Sequence, residues 1–393
     1  MDKWTVYLRF SLLCAALCMA GTTASAMKDV SVHDYRARGN DYGDDTAAFQ
    51  KALNEVIAAG GGKIFIPPGD YIISKRLEII APKKAPNIKL ALVGAGRGES
   101  RLMSHSTEGL LRFESEHNGM DLTVRDLSLM AGKPAAGIAL EITNPVLGVR
   151  VERGVLLERV EVAGIYPDCY FNVGISMFGQ WRPLLRDVTV SGAISDAMTD
   201  DSPAFKMEIG IRQNGFYGGE FANCHVSYCH TAYSWIAEEN GEGFVIRHST
   251  ADFCRVGAVI ATPEQEPGGC LVRSRIRARD VGLRIDHKRL LTVVDNEFQP
   301  LSKAGEYPYT DVTVSNSWAI QINRNRFIGS PKNRTHVRVD GRGEPKEYVI
   351  MPFTRFVQIH DNEFCLPPDR ALQYSGDDIF GVYLNNNSQN RGE

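Results

Sequence analysis

Short apolar segments with alternating polar residues recur along most of the chain, and between Tyr217 and Asp286 they recur at a step of 25 residues. Three segments of this stretch have the pattern of one repeated strand: Thr-Ala-Tyr-Ser-Trp (231–235), Val-Gly-Ala-Val-Ile (256–260) and Val-Gly-Leu-Arg-Ile (281–285). A fixed period of short strands, with no helix long enough to cross between them, is typical of a solenoid that stacks coils. The pattern therefore predicts an all-β fold, a single-stranded parallel β-helix.

Titratable side chains occupy one position of successive coils. The same step places His230, Arg255 and Asp280 one above another, about 5 Å apart. Such a column is either an ion-pair ladder that stabilises the stacked coils or part of a catalytic centre. Both interpretations stay open, and His230 is a candidate catalytic residue.

Cysteines stand one residue before this column in two of the three coils. Cys229, Cys254 and Arg279 occupy equivalent places, so the two cysteines should lie at the same corner of neighbouring coils. The strand spacing would allow a disulfide, but side chains in register point in parallel, whereas a disulfide turns its Cβ atoms toward each other. We expect two close thiols rather than a bond. The cysteines that follow residue 26 match no zinc-binding spacing.

An amphipathic segment precedes the repeats. Asp44 or Asp45 can cap a helix whose apolar residues, Phe49 among them, recur at helical spacing, and the glycines at 60–62 end it. The first coil of a solenoid would otherwise expose its core and its edge. We therefore expect a helix over residues 44–59 that covers this coil.

Each coil carries a third strand with apolar and polar alternation, from residues 137–142 to residues 380–384, which gives about nine to ten coils. Asn296, Asn325 and Asn362 stand at corners, where asparagine can adopt a left-handed backbone and bond to the next coil, so we interpret them as structural. Alternation places a polar set outward along one sheet: Glu141, Ser176, Arg212, Arg284, Asp286, Arg338 and Asp340.

The first 26 residues have the pattern of an export signal. Lys3 and Arg9 precede an apolar run over residues 10–20, and Ala24-Ser25-Ala26 fits a cleavage site. The run is too short to span a bilayer. We expect a secreted or periplasmic monomer without membrane insertion, formed by one β-helix domain at 27–393 with an N-terminal cap at 27–75 and a loose tail at 385–393.

Composition narrows the choice of partners. The chain has 393 residues, 43% of them hydrophobic, a formal net charge of -3 and a pI near 6.3. No basic stripe stands out from the mixed charges, which argues against a nucleic-acid partner. An anionic polymer would need only a locally basic groove.

Three motifs resemble the beginning of a known family: Gly-Asp-Asp-Thr-Ala-Ala-Phe (43–49), Gly-Gly-Gly-Lys-Ile-Phe-Ile-Pro-Pro-Gly-Asp-Tyr (60–71) and Leu-Val-Gly-Ala-Gly (92–96). They are similar to the pectin-lyase-like right-handed parallel β-helix superfamily, and most of all to the rhamnogalacturonase/epimerase-like pectate lyase domain. The resemblance implies an exported carbohydrate-active protein that acts on an acidic polysaccharide, of the lyase, glycoside hydrolase or epimerase type. A non-catalytic polysaccharide-binding or exopolysaccharide-assembly protein of the same fold is the alternative.

Long insertions before the third strand, at residues 164–172 and 193–205, should wall a groove along the outward face. Hydrolysis needs two carboxyl groups around the scissile bond, and the candidates are Asp200, Asp201, Glu238 and Glu239. The ordered motifs of family-28 polygalacturonases are absent.

Chemistry on a uronic acid instead needs a base and a positive charge near the carboxylate. Arg212, Arg284 and Arg338 could supply the charge, with His230 or a tyrosine as proton carrier. The aspartate-proline-histidine-aspartate signature of alginate epimerases is absent. No cofactor is certain, although loop carboxylates could bind calcium. The loops also offer residues for sugar binding: Tyr166, Asp168 and Tyr170.

Overall fold

The chain folds as a right-handed parallel β-helix in the computed structural model. The structure describes residues 27–81, 88–115, 121–144, 154–197, 199–237, 241–262, 267–301, 307–329, 333–341, 354–376, 379–385 and 388–389. Within them, each coil contributes to three parallel sheets, numbered here by their order in the coil. The export-signal prediction falls on residues 1–26, which lie outside the described residues, as do residues 386–387 and 390–393 of the tail.

The first sheet contains strands Val30–Ser31, Gly61–Ile66, Lys89–Gly94, Leu184–Arg186, Glu220–Ala222, Val245–Arg247, Cys270–Val272, Thr292–Val294, Gln321–Asn323, Thr354–His360 and Ile379–Asn385. Two long strands, Asp121–Ala131 and Val155–Gly164, turn the corner from the first sheet into the second. The rest of the second sheet consists of Gly69–Ile73, Ser100–Ser104, Thr189–Ser191, Glu297–Pro300, Arg326–Phe327, Glu363–Phe364 and Ser388–Gln389.

Three further long strands, His225–Ile236, Thr250–Ala261 and Arg275–Asp286, turn from the second sheet into the third. They are the segments that the 25-residue step identifies. The remaining strands of the third sheet are Leu77–Ala81, Leu111–Ser115, Ile138–Thr143, Val173–Phe178, Ile209–Asn214, Tyr309–Ser315, Arg334–Asp340 and Leu372–Ser375. Outside these sheets lie a short pair, Phe216–Tyr217 with Gly241–Glu242, the 3-10 helices Val32–Tyr35 and Pro203–Phe205, and the helix Pro368–Ala371.

The amphipathic segment forms the expected helix, Thr46–Ala58, preceded by Asp45 as its N-cap residue. Its apolar face packs on the first coil, where the ring of Phe49 meets that of Tyr71 edge-on at 5.2 Å and is 2% exposed. The strand that follows requires glycine, because a Cβ on Gly62 (φ 152°) would lie 1.9 Å from the carbonyl oxygen of Lys28. The prediction of a covering helix is confirmed.

Asparagines form a buried ladder at the corner between the first and second sheets. The Nδ2 of Asn296 donates to Oδ1 of Asn325 at 3.0 Å, and the Nδ2 of Asn325 donates to Oδ1 of Asn362 at 3.1 Å. Their structural role is confirmed. The left-handed backbone, however, belongs to the residue before each asparagine: Asp295 (φ 56°), Arg324 (φ 50°) and Asp361 (φ 56°).

Two details of the predicted coil pattern are wrong. Strand Ile379–Asn385 belongs to the first sheet, where Val382 pairs with Val357, and Leu372–Ser375 continues the third sheet instead. The described strands of the first sheet also outnumber nine to ten coils, since the segment expected to be a cap, residues 27–75, already contributes strands to the first and second sheets. Alternation is the same in every sheet, so it cannot assign a strand to one of them.

The register of Cys229 and Cys254 is confirmed, since the two residues pair directly. Their sulfurs are 3.3 Å apart and both are free thiols, as expected from parallel side chains. Burial raises the pKa of the Cys229 thiol well above its ordinary value. Arg279 does not continue this column, because Cys254 pairs with Ala278 across a local irregularity of the register.

Replacing Phe49 by Asp should lower the free energy of unfolding by about 3 kcal/mol or more, because it places an unpaired carboxylate against the apolar end of the solenoid. Urea unfolding followed by circular dichroism measures the change. Asn54→Asp, an exposed site on the same helix, is the control and should be near neutral. Equal unfolding midpoints for the two variants would contradict the capping role of Phe49.

Candidate functional site

The outward side chains of the third sheet form one continuous row, called here the outer row. The parallel register places its members directly above one another, as alternation predicts. They are Glu78, Arg112, Glu141, Ser176, Arg212, Ser234, Val259, Arg284, Thr313, Arg338 and Gln373. Asp286 and Asp340 lie in the adjacent outward row.

Charge changes sign along the outer row. At its N-terminal end Glu141 lies within 3.8 Å of the Arg112 guanidinium. From Ser176 onward the row contains arginines and no carboxylate. The Arg212 guanidinium donates to Oγ of Ser176 at 3.2 and 3.1 Å, and Arg284 is exposed. Neither of these arginines has a carboxylate partner in the described part of the chain, whereas Arg338 donates to Asp340 at 2.9 Å.

The titratable column lies at the corner between the second and third sheets, four residues before the outer row along each strand. Nε of Arg255 is 2.6 Å from Oδ2 of Asp280, which is the ion pair that the ladder interpretation expects. His230 stands outside the pair, with Nδ1 3.1 Å from Oγ1 of Thr231. The column thus combines a ladder with one imidazole that is not bonded to a carboxylate in the described structure.

The environment of His230 favours the neutral form of its imidazole. Burial lowers the pKa of His230, and the positive charges of Arg255, Arg279 and Arg284 lower it further against the opposing effect of Asp280. For Asp280, burial acts to raise the pKa, but hydrogen bonds from Arg279 and Arg255 prevail and hold it below its usual value. The corner therefore offers a neutral base beside an ionised carboxylate and several cations.

Arg279 links the charged residues of this corner, although the sequence did not single it out as a candidate site residue. Its side chain is 2% exposed and lies against the rings of Phe205 and Tyr307, 5.2 and 4.6 Å from their centroids. Nη2 donates to Oδ1 of Asp200 at 2.7 Å, and Nε donates to Oδ1 of Asp280 at 2.6 Å. A signal was present in the sequence, since at the 25-residue step an arginine replaces the cysteine of the two preceding repeats. We call His230, Arg255, Arg279, Asp280 and Asp200 the corner site.

The loop before strand Ile209–Asn214 brings Asp200 to the corner. Ser202 caps the 3-10 helix Pro203–Phe205 by accepting a hydrogen bond from the amide of Ala204 at 3.2 Å. At the end of the loop, the carbonyl of Met207 accepts from the amide of His230 at 2.7 Å. The loop therefore extends over several later coils. Asp201 is exposed beside Asp200.

The other candidate residues are spread more widely. Tyr166 and Asp168 are exposed in the loop at 164–172, and the amide of Ile194 ties that loop to the next by donating to the carbonyl of Pro167 at 2.8 Å. Tyr170 is half-buried against the core, so its ring is not a free stacking surface. Glu238 and Glu239 lie outside the described residues. Among those described, no three His, Cys, Asp or Glu side chains are grouped to hold a metal ion.

A second ionic cluster, also absent from the sequence analysis, lies under the third sheet. The Asp311 carboxylate is fully buried between the guanidinium of Arg334, at 2.7 and 2.8 Å, and Nδ1 of His336, at 2.7 Å. Burial acts to raise the pKa of Asp311, yet the charges and hydrogen bonds of Arg334 and His336 lower it overall. Burial lowers the pKa of His336. In the preceding coil, the position of Asp311 is occupied by Gly282, which has no side chain. The cluster therefore begins where this column changes from glycine to aspartate.

Comparisons place the fold among known proteins. Residues 30–119 match the family model described as rhamnogalacturonase A/epimerase, pectate lyase-like. Across 93% of this chain, the structure superposes on the A-module of the mannuronan C5-epimerase AlgE6 from Azotobacter vinelandii, with a TM-score of 0.63 at 18% identity and 96% of that module covered. Residues 30–119 are thus similar to a pectate lyase-like family, and the chain as a whole shares the β-helix fold of this solved epimerase module. Its fold also matches the DFA-IIIase of Arthrobacter chlorophenolicus A6, with a TM-score of 0.58 at 11% identity over 91% of this chain and 93% of that one.

Sequence relatives of this β-helix protein include AlgE4 and AlgE6, mannuronan C5-epimerases of Azotobacter vinelandii, at 31% and 30% identity over 142 and 144 residues. Alginate lyase 7 of the same organism is 28% identical over 106 residues. The first two matches cover 34% of this chain and 26% and 16% of those proteins, and the third covers 26% and 12%. The chain thus spans only a small part of the curated relatives it matches. Among the described residues, no helix is long and apolar enough to cross a membrane.

Asp200→Asn should loosen the loop over the corner site, because the amide keeps an oxygen for Arg279 but loses the charge. We expect a cost of about 1 kcal/mol in local opening, since the Asp200 side chain is 68% exposed, with little change in the global melting temperature. Hydrogen exchange of residues 199–208 measures the opening. Asp201→Asn is the matched control, and equal exchange in both variants would contradict the anchoring role of Asp200.

Asp311→Asn should destabilise the fold by about 3 to 5 kcal/mol, because the buried guanidinium of Arg334 loses its counter-charge. In the parent protein Asp311 and His336 both have folded-state pKa values below their unfolded values. Both therefore stabilise the fold at higher pH, and stability should fall first below about pH 6.5, where unfolded histidine gains a proton, and again below about pH 4. Urea unfolding at several pH values tests this. A variant as stable as the parent throughout would contradict it.

Proposed function

We propose that this protein binds an acidic polysaccharide along the outer row and removes the proton beside a uronate carboxylate. This step is common to C5 epimerisation and to β-elimination. The observation that carries the proposal is His230, a half-buried imidazole whose pKa is lowered by burial and by nearby cations. One of these cations is the exposed Arg284, which has no carboxylate partner among the described residues. Support also comes from relatives named as mannuronan C5-epimerases and as an alginate lyase.

Each residue of the site has a task in this chemistry. The proton next to a carboxylate is weakly acidic, and its removal places negative charge on that carboxylate. Arg284 would pair with the carboxylate and stabilise the developing charge, while neutral His230 would accept the proton. Arg255 and Asp280, fixed to each other and to Arg279, hold the corner rigid around the imidazole. Arg212, about 14 Å further along the row, would contact another part of the polymer.

The geometry of the corner site fits glycoside hydrolysis less well than proton abstraction. A glycoside hydrolase needs a carboxylic acid that is protonated at the start of the reaction, which means a raised pKa. Asp280 has a lowered pKa because two arginines bond to it. Asp200 accepts a hydrogen bond from Arg279 and lies 3.5 Å from Arg255. These carboxylates are therefore better suited to positioning arginines than to donating a proton.

Non-catalytic binding of an acidic polysaccharide is the second candidate. It is favoured by one specific observation, the lack in this sequence of the aspartate-proline-histidine-aspartate signature of alginate epimerases. The arginines of the outer row would then recognise uronates without turnover. In either case we propose that residues 1–26 direct export to the periplasm or the medium.

A substrate panel separates these functions. Alginate, polygalacturonate and a neutral glucan are incubated with the protein, and three products are followed: ultraviolet absorbance from unsaturated uronates, inverted C5 protons by NMR, and new reducing ends. Elimination generates the first together with new ends, epimerisation generates only the second, and hydrolysis generates ends without absorbance. We expect absorbance or inversion with an acidic polymer. Binding without any product would favour the second candidate and contradict catalysis.

His230→Gln should lower kcat by about 100-fold or more by removing the base. Arg284→Gln should lower kcat/KM on the order of 100-fold, since the cation helps to bind the uronate and to stabilise its charge in the transition state. Arg186→Gln, an exposed arginine of the first sheet, is the control and should be unchanged. Full activity in His230→Gln would remove that residue from the mechanism.

The pH profile gives an independent readout. A base works in its neutral form, so kcat/KM should rise with pH through the His230 pKa and be flat above it. Because that pKa is lowered, the midpoint of the rise should lie below the ordinary imidazole value of about 6.5. The rise should be absent in the residual activity of His230→Gln. A midpoint above about pH 7 in the parent protein would contradict the assignment.

A further inference from the structure

A second charged surface lies at the corner between the first and second sheets, on the opposite side of the coil from the outer row. It is a groove of about 670 Å³ that runs across several coils. We call it the rear groove. Its lining residues are His248, Ser249, Thr250, Arg273, Ser274, Arg275, Asp295, Asn296, Glu297, Arg324 and Arg326.

The backbone forces the charged residues of the rear groove outward. At each corner one residue has a left-handed conformation, and Arg273 (φ 48°), Asp295 (φ 56°) and Arg324 (φ 50°) occupy that position in successive coils. The next residue turns inward to the buried ladder, where Oδ1 of Asn296 accepts from the amide of Ser274 at 2.9 Å. The residue after it points out again. The polar groups at the bottom of the groove are therefore hydrogen-bonded to one another, and the charged side chains on either side of them face solvent.

Cations outnumber anions in the rear groove. Asp295 is bonded by Arg324 at 2.7 and 3.1 Å, so its contact with Arg273 is long, at 3.9 Å. Arg326 pairs mainly with Glu363, which lies outside the lining, at 2.9 Å, and only distantly with Glu297, at 3.8 Å.

Arg275 is exposed and has no carboxylate partner in the described part of the chain. Arg324 and Arg326 are thus neutralised by Asp295 and Glu363, whereas Arg273 and Arg275 have no close ion pair among the described residues. These two arginines keep positive charge that is exposed in the groove.

The arginines form a regular linear array. Arg275, Glu297 and Arg326 are paired in register in successive coils, so the two arginines are two coils, or about 10 Å, apart. The neighbouring column repeats this spacing with Arg273 and Arg324. In each column a carboxylate, Glu297 or Asp295, separates the two arginines, so cations recur at every second coil along a straight axis. This spacing fits an extended polymer with carboxylates at regular intervals. The charged lining differs from the mostly apolar pockets that hold small molecules.

We propose that the rear groove is a second binding site for an acidic polysaccharide, separate from the outer row. The proposal takes only the class of polymer from the proposed function and needs no catalytic step. A chain held here would keep other segments of the same polymer at high effective concentration near the outer row. Long chains would gain from both sites, whereas short oligomers could occupy only one at a time.

Arg273→Gln with Arg275→Gln should weaken binding of long alginate chains by about tenfold or more, because each lost arginine removes a charge-assisted contact. Arg125→Gln with Arg186→Gln is the matched control, since it removes the same charge from exposed sites of the first sheet outside the groove. Titration calorimetry with alginate at low and high salt measures the affinity. Binding by the parent protein should weaken with salt, and the loss in the groove variant should shrink with it. Equal affinity of the two double variants for alginate would overturn the proposal.

The same titrations in a His230→Gln, Arg284→Gln background separate this site from the proposed catalytic one. Alginate should still bind in that background, and binding should be lost when the groove substitutions are added, whether or not the parent protein turns over any substrate. No residual binding in the background would overturn the rear groove as a separate site. Duplex DNA and phosphatidylglycerol vesicles serve as probes of other anions. If either binds through the groove arginines more tightly than alginate, the polysaccharide assignment is overturned.

Discussion

Backbone hydrogen bonding between coils in exact parallel register is the constraint on which this structure depends. Each strand lies on the next at about 4.8 Å, so every sequence position becomes a column of side chains. Inward columns are apolar or form ladders such as Asn296, Asn325 and Asn362, which satisfy buried polar groups by bonding to one another. Outward columns bring residues close in space that are 22 to 37 positions apart in sequence, such as Arg275 with Glu297 and Arg326 with Glu363. Both charged surfaces of the molecule arise in this way.

The most informative departure from this register occurs at Arg279. The pairing shifts around Cys254, and the arginine that follows Ala278 is buried at the corner instead of continuing a column of thiols. A buried guanidinium requires carboxylates, and Asp280 and Asp200 supply them from the same coil and from a loop 79 residues earlier. A local irregularity in the stacking therefore determines where the loop docks. The corner site exists because that loop is held there.

Sequence reasoning succeeded where structure follows from local periodicity. The 25-residue step gave the register of Cys229 with Cys254 and the ion pair of Arg255 with Asp280, and helical spacing gave the buried position of Phe49. It failed where the outcome depends on long-range contacts. Period alone did not reveal the docking of Asp200 on Arg279, and it did not assign residues 380–384 to the first sheet. The rear groove was missed because evenly mixed charges in the sequence become separated only when the coils stack.

The ladder and catalytic interpretations of the His230 column turn out to be compatible. Arg255 and Asp280 neutralise each other, which fixes the corner without using the imidazole. A histidine paired with Asp280 would have had a raised pKa and would be charged near neutral pH, which would make it a poor base. Because the arginines occupy that carboxylate, His230 is exposed to net positive charge and its neutral form is favoured. The ion pairs that stabilise the stacked coils therefore also favour the protonation state that the proposed proton abstraction would need.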